Sequence, residues 1–375
     1  MVQTRYITAG GLIDGSGAGV RRNVFLEVKD GIIAGIGPAA DIPRNEGVAV
    51  DEFPHCTMVP PLVDCSVSLS RSPSVEKNVR SALEEAGIAG RESLAAQHIR
   101  YCHSHGVLGV ADNDDSIGPG EHFQEVTVLG GMIDIRSAGS DFLRIVYSDV
   151  DNSDGPVSRL NREDLLGILK QRGNKKAVVV ANGRDRVQEA LAAGCDAIEQ
   201  GYGMGEDNLR TMAETGVLWI PSVLMAKNAL DGAASGGDVM CRFSMRYVAP
   251  GKADPGAETF WKRMLSGQLA QLRHARKLGV KTAVGTGAGN IGIIHGESVV
   301  EEIKLFIKAG YSLEEAIRCG SDIGAGFFGM ENLGALAVGR QATFLVARGT
   351  VQQLPRKLSY LEGIYVDGHL TKWKM

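Results

Sequence analysis

The chain has 375 residues, 44% of them hydrophobic and 22% charged, which is the balance of an ordinary globular protein with a large core to bury. A formal net charge of −4 and a pI of about 6.1 argue against a nucleic-acid or anionic-membrane partner. No apolar run approaches the roughly 20 residues that span a bilayer.

The N-terminal Met1-Val2-Gln3-Thr4-Arg5-Tyr6-Ile7 has no basic segment leading into an apolar one, so no signal peptide is read. Cys56, Cys65, Cys102, Cys195, Cys241 and Cys319 are scattered, with no C-x-x-C pair. They read as reduced, mostly buried thiols, and a cytoplasmic location is expected.

Residues 4–50 read as short strands at Tyr6–Ala9, Asn23–Val28 and Ile32–Ile36. Asp14-Gly15-Ser16-Gly17 and Asp30-Gly31 separate them, and Asp-Gly between β-rich runs is a hairpin signal. A strand over Met58–Leu69 follows, entered through Pro60-Pro61, and helical periodicity runs from Val75 to Tyr101. Further strands are expected at Gly106–Asp112, Glu125–Arg136, Asp141–Tyr147, Ala177–Ala181, Ala197–Gln200, Val217–Pro221 and Lys281–Thr286. The intervening helices are read at 161–172, with Asn161 or Ser158 as N-cap, at 185–193, at 206–215 and at Glu258–Leu278. Helices at 298–309 and 313–327 precede terminal strands at Ala342–Ala347 and Tyr360–Tyr365 and a turn at Val366-Asp367-Gly368.

Eight strands alternating with helices predict the α/β class. The expected architecture is a (β/α)8 TIM barrel at 57–339, plus a small composite β-sandwich lobe built from both termini, 1–56 and 340–375. A doubly wound open sheet is disfavoured, because no G-x-G-x-x-G follows the first strand of a βαβ unit.

The run Pro60-Pro61-Leu62-Val63-Asp64-Cys65-Ser66-Val67-Ser68 resembles the first barrel strand of the amidohydrolase superfamily. There a proline-glycine-apolar-apolar-aspartate-x-histidine-x-histidine motif carries two metal ligands. Leu333-Gly334-Ala335-Leu336-Ala337-Val338-Gly339-Arg340-Gln341-Ala342 is similar to the signature that leads into the C-terminal strands of that family, closest to its imidazolonepropionase/prolidase-like branch. The resemblance implies a metal centre at the C-terminal strand ends. Carried over position by position, it puts Ser66 and Ser68 at the strand-1 histidines and Arg144 at the strand-4 lysine. It puts Asn182 and Gln200 at the histidines of strands 5 and 6, and Gly287 at the strand-8 aspartate.

Zinc sites need thiolate, imidazole or carboxylate ligands. Serine hydroxyls and carboxamides bring no charge to offset the cation, and structural zinc gains roughly 10–16 kcal/mol from its proper ligands. Without a metal no bound water has its pKa lowered to about 7, so the hydroxide nucleophile of the family is not made. No metal and no cofactor are therefore expected.

Several other residues are candidates for a different chemistry. His103-Ser104-His105 is expected at a helix C-terminus facing solvent, where positive charge suits the dipole. His295 follows strand 8 and reads equally as a ligand contact or as loop packing. Asp112, Asp114 and Asp115 read as a solvated turn rather than a cation loop, and Cys65 as a packed thiol. The glycine-rich runs 201–205 and 285–290 could form an anion nest.

The reading that joins these observations is a divergent, metal-free member of the family, inactive as a metal hydrolase. It would bind a small polar or anionic ligand at the barrel mouth. Ser66, Ser68, Arg144, Asn182, Gln200 and Gly287 would line the pocket, with Glu199, Thr286 and His295 as ligand contacts. One alternative is an active hydrolase of non-peptide C–N bonds with shifted ligands, zinc among them, or with metal-free acid–base chemistry led by Glu199 and Asp64. Another is a structural subunit of an active paralogue. The expected partner is a small molecule, with no nucleic acid and no membrane; homo-oligomerisation stays open.

Overall fold

The computed structural model describes residues 4–43, 49–74, 76–113, 122–123, 126–132, 140–148, 160–234 and 256–371. The chain opens with antiparallel strands β1 (Thr4–Leu12), β2 (Arg21–Lys29) and β3 (Ile32–Pro38). Asp30 and Gly31 take φ of 49° and 78°, the left-handed pair a tight hairpin demands. β4 (Ala49–Val59) then pairs in parallel with β1. Pro60 and Pro61 have no N–H to give a ladder, so the run expected as one strand over Met58–Leu69 is divided between two sheets.

The barrel begins at β5 (Leu62–Val67). The single periodic stretch after it is two helices, α1 (Lys77–Glu85) and α2 (Gly87–Ser104), broken where Gly87 adopts φ 66°. β6 (Val107–Asp112), the short β7 (His122–Phe123), β8 (Val126–Met132) and β9 (Phe142–Val146) follow. Then come α3 (Arg162–Gln171), β10 (Lys176–Ala181), α4 (Arg184–Ala192), β11 (Ala197–Gln200), α5 (Glu206–Thr215) and β12 (Leu218–Ile220). Asn161 caps α3 in a full capping box with Asp164. The parallel order is β5-β6-β8-β9-β10-β11-β12, with β7 antiparallel on β8. Runs such as Ala177–Ala181 are apolar and buried on both faces, as strands covered inside and out must be.

After α6 (Val223–Ala234) and α7 (Ala257–Leu278), residues 281–288 close the barrel. The eighth strand expected there is no regular ladder. Trp219 donates its N–H to Lys281 O at 2.9 Å, Cys65 to Val284 O at 2.9 Å and Ser68 to Ala288 O at 2.7 Å, so the segment fills the gap between β12 and β5.

Sequence pattern did not indicate α6, because its cap is remote. The Glu302 carboxylate accepts from Val223 N and Leu224 N, both at 2.7 Å. Glu302 sits on α8 (Glu297–Lys308). The next two helices, α9 (Leu313–Cys319) and α10 (Asp322–Phe328), were expected as one. They part because the carbonyls of Cys319 and Gly320 accept from Val284 N and Val63 N of the barrel floor, leaving none for a continuing helix.

β13 (Phe344–Arg348), β14 (Leu361–Val366) and β15 (His369–Leu370) return to the first sheet, in the order β15-β14-β13-β4-β1-β2-β3. This single sheet curls over its own core of Ile7, Leu26, Met58, Phe344 and Tyr365. Its two edges meet where Ile33 N donates to Arg340 O, Ala342 N to Gly31 O and Gly368 N to Ala342 O.

Candidate functional site

Four side chains from four strand ends converge inside the barrel. The register shifts between Asp64 and Val67, and Ser66, 0% exposed, reaches across the barrel from the end of β5. Its Oγ donates to Glu199 Oε1 at 2.8 Å. Arg144 on β9 donates Nε to Glu199 Oε2 at 2.7 Å and Nη2 to Glu199 Oε1 at 2.9 Å, a two-point clamp on a carboxylate only 3% exposed. Asn113, one residue past β6, donates Nδ2 to Ser66 Oγ at 3.0 Å.

A second cluster stands beside the first. Asn182, one residue past β10, donates Nδ2 to Gln200 Oε1 at 2.6 Å and to Ser148 Oγ at 3.1 Å, and accepts from Tyr202 N at 2.8 Å. Gln200 holds φ 70°, a left-handed value uncommon for a residue with a side chain, at the end of β11. Ser222, past β12, holds φ 48° and donates Oγ to Gly285 O at 2.8 Å. Such backbone at successive strand ends marks a face built to aim side chains.

Asp64 is buried beneath. It accepts from Thr286 N at 2.9 Å and from Thr286 Oγ1 at 2.6 Å. Burial pushes its carboxyl up to about 7, against the opposing pull of the Thr286 and Ser66 hydrogen bonds, and the nearby Glu199 adds to the rise. Thr286 thus spends its polar groups on Asp64.

The glycine-rich run beyond it is no anion nest. Gly287 N donates to Ser66 O, Ala288 N to Thr286 Oγ1, Gly289 N to Ile293 O and Asn290 N to Gly287 O. In the run 201–205, Gly201 N serves Ala181 O and Tyr202 N serves Asn182. These N–H groups hold the loops together. Arg144 is matched by Glu199, so the basis for expecting an anionic ligand is removed. Ser68 and Gly287 line the closing segment, where Ser68 N meets Ala288 O.

The remaining candidates are packed. His295, 3% exposed, stacks on His98 with ring centroids 3.7 Å apart, and its Nε2 meets Ser68 O at 3.1 Å, the loop-packing role. His103, expected to face solvent, is buried, because the inward face of α2 runs through Leu94, His98, Ile99, Cys102 and His103. His105 bonds Tyr101 O at 2.8 Å at the helix end. Asp112 is buried and accepts from Leu69 N at 3.0 Å, rather than lying in a solvated turn; Asp114 and Asp115 lie outside the described residues. Cys65 is buried among other carboxyls and thiols that raise its pKa well above that of a free thiol, burial being the main cause, so it is no nucleophile.

Asn113 escaped the sequence reading, which stopped at Asp112. The signal was its parity with inward-facing Gly109 and Ala111 of β6. Ser148 and Tyr202, which complete the Asn182 cluster, follow strands in the same way.

The donor set does not fit a divalent metal. A guanidinium fills the space beside Glu199, the Asn182 amide nitrogen faces Gln200, and among the described residues no three His, Cys, Asp or Glu side chains converge as a metal site.

A parallel barrel with polar strand ends and a curled sheet from both termini defines a class of β/α-barrel proteins. Residues 163–370 match the amidohydrolase family, and the chain belongs to that family. No protein of curated function matches the sequence. Among solved structures it is similar to a Xaa-Pro dipeptidase with methionine bound in the active site, at 18% identity and a TM-score of 0.75, over 99% of this chain and 100% of that one. It is similar to ochratoxinase of A. niger at 18% identity and a TM-score of 0.76, over 98% and 95%. Phenylurea hydrolase B matches at 15% and 0.71, over 98% and 96%. At these identities the likeness is one of fold.

Proposed function

We propose that this chain binds a small polar molecule at the C-terminal end of the barrel strands, without a metal or other cofactor, and is inactive as a metal-dependent hydrolase. The observation that carries the reading is the Arg144–Glu199 clamp, with Ser66 hydrogen-bonded to the same carboxylate. A fixed guanidinium repels a dication at close range, and the neutral groups around it offer no compensating charge. Asn113, Ser66, Asn182 and Gln200 supply the polar lining.

Elemental analysis of protein purified without chelator, repeated after zinc and manganese are offered, tests this reading. Less than about a tenth of an equivalent in both supports it. Near one tightly bound equivalent overturns it and puts hydrolysis of a non-peptide C–N bond in its place, a reading in keeping with a neighbour named phenylurea hydrolase B.

A second reading, metal-free acid–base hydrolysis, is favoured by Asp64, whose carboxyl at about 7 suits proton exchange near neutrality. It requires amide hydrolysis by metal-free protein that Asp64→Asn abolishes.

A further inference from the structure

A cleft opens at the end of the barrel away from the mouth. Lys176 opens β10, Asp196 precedes β11, Val217 precedes β12 and Lys281 opens the closing segment, so the N-terminal ends of neighbouring strands form one side of it. Helices α9 and α10 form the other, and the space between is about 730 Å³. Small-molecule sites lie at about 300–1,000 Å³.

The charges of this cleft are unequally spent. Arg276 gives Glu315 two hydrogen bonds, of 2.8 and 3.0 Å, and Arg318 stands 3.6 Å from Asp322. Asp196 Oδ2 lies 2.8 Å from Arg172 Nη1 and accepts from Ala177 N at 2.8 Å. Lys176 approaches Asp196 Oδ1 at 3.8 Å and stands 5.6 Å from the centre of the Phe327 ring. The Lys281 ammonium, exposed at the rim, has no hydrogen bond or ion pair among the described residues. Every acid here is answered, and a cation is left over.

The wall beside it is apolar. Val217 is buried, and Ile323 and Phe327 are half-buried, with surface still to withdraw from water. The two glycines of α10 differ. A Cβ on Gly324 would lie 2.5 Å from Cys65 Sγ, so packing explains that residue. A Cβ on Gly326 meets nothing within 4 Å, and Gly326 lines the cleft. Glycine weakens a helix relative to alanine, and no neighbour calls for it here. What its missing side chain provides is room in the cleft.

We propose that this cleft binds a small carboxylic acid with an apolar body, its carboxylate on Lys281 and its body against Val217, Ile323 and Phe327. An inorganic anion is the poorer match, because β11 and β12 separate Lys176 from Lys281 and the two do not grip one point. The site stands at the opposite end of the barrel from the mouth and does not depend on the function read there.

Isothermal titration of the full-length protein with sodium hydrocinnamate, hydrocinnamyl alcohol and phenylpropylammonium chloride, at matched ionic strength, tests it. The three share an arylalkyl body and differ in head group. Hydrocinnamate is expected to bind at one equivalent and more tightly than the other two. Lys281→Gln is expected to weaken it about tenfold, toward the level of the alcohol. Gly326→Leu, which fills the cleft, is expected to remove binding. If Gly326→Leu folds poorly by circular dichroism, Lys281→Glu, a change at an exposed position, takes its place and is expected to abolish binding of the acid. Alcohol or ammonium binding as tightly as the acid overturns the proposal. Hydrocinnamate binding that these variants leave unchanged, or no binding at millimolar concentration, overturns it as well.

Discussion

Arg144 meets Glu199 across the barrel through two hydrogen bonds of 2.7 and 2.9 Å, and Ser66 shares the second carboxylate oxygen. Breaking one side of a buried pair leaves an uncompensated charge. Arg144→Met is expected to lose about 3–5 kcal/mol of stability, whereas Arg144→Met with Glu199→Leu recovers most of that loss. Urea denaturation of the two single variants and the double variant measures the coupling. Simple additivity would remove the clamp from the argument.

Gly289 holds φ 96°, and a Cβ placed on it would lie 2.5 Å from Ser68 O and 3.0 Å from Ser68 Cβ. Neither backbone can yield without opening the closure between β5 and residues 281–288. Gly289→Ala is expected to cost about 2 kcal/mol or more, combining left-handed strain with overpacking. Gly203, also left-handed but with nothing within 4 Å of its Cβ position, is the control, and Gly203→Ala costs less. Thermal unfolding of the pair separates crowding from strain.

What the sequence made legible follows local signals. The hairpin at Asp30-Gly31, the capping box at Asn161 and the both-face burial of Ala177–Ala181 are written in neighbouring residues. Two of the misses among the helices are long-range. α6 is capped by Glu302, 79 residues away from Val223, and the split between α9 and α10 is set by Val63 and Val284, which take its carbonyls. At the site, strand parity brought Ser66, Arg144, Asn182 and Gln200 to one end, yet their pairing was invisible. Nothing local says that Glu199 answers both Arg144 and Ser66, that Thr286 answers Asp64, or that the backbone N–H groups of 286–290 are already spent on Asp64, on Ser66 and within their own loop.

Glu302 gives a prediction in pH. Burial pushes its carboxyl up to about 8, despite the two N–H groups that pull the other way. The folded state therefore holds a proton that the unfolded chain releases above about 4.5. A raised carboxyl contributes stability that is complete below the unfolded pKa and is lost as pH rises through the folded one. Stability is expected to fall between about pH 4.5 and 8, with a limiting slope near 1.4 kcal/mol per pH unit from this group. Glu302→Gln costs about 1–3 kcal/mol at pH 5, because one N–H of α6 loses its acceptor, and it flattens that slope. Denaturant midpoints of both proteins from pH 5 to 8 check the difference. Parallel curves would mean that Glu302 is ionised throughout.

His98 and His295 pull in the opposite direction. Their rings stack at 3.7 Å with planes 14° apart, His98 Nδ1 meets Leu69 O at 2.7 Å, and His295 Nε2 meets Ser68 O at 3.1 Å. Carbonyls only accept, so Nδ1 of His98 and Nε2 of His295 each carry a proton, and these bonds pull toward the charged ring while burial opposes it. Burial lowers both pKa values, that of His295 well below the ordinary value, with His98 beside it as the second cause. A depressed base stabilises the fold above its unfolded pKa of about 6.5, and that stability is lost as pH falls through the folded value. The carbonyls these rings hold belong to the exit of the first barrel strand, so the cost of burying a charged ring falls on that segment. Wild type is therefore expected to lose stability on acidification below about pH 6.5, opposing the gain from Glu302. His295→Asn, which keeps a donor for Ser68 O but cannot titrate, is expected to be less stable at pH 7 and to lose less than wild type between pH 6.5 and 4.5. Imidazole proton shifts followed by NMR over the same range check the cause. A His295 ring that titrates near 6.5 in the folded protein would assign the acid limb to other groups.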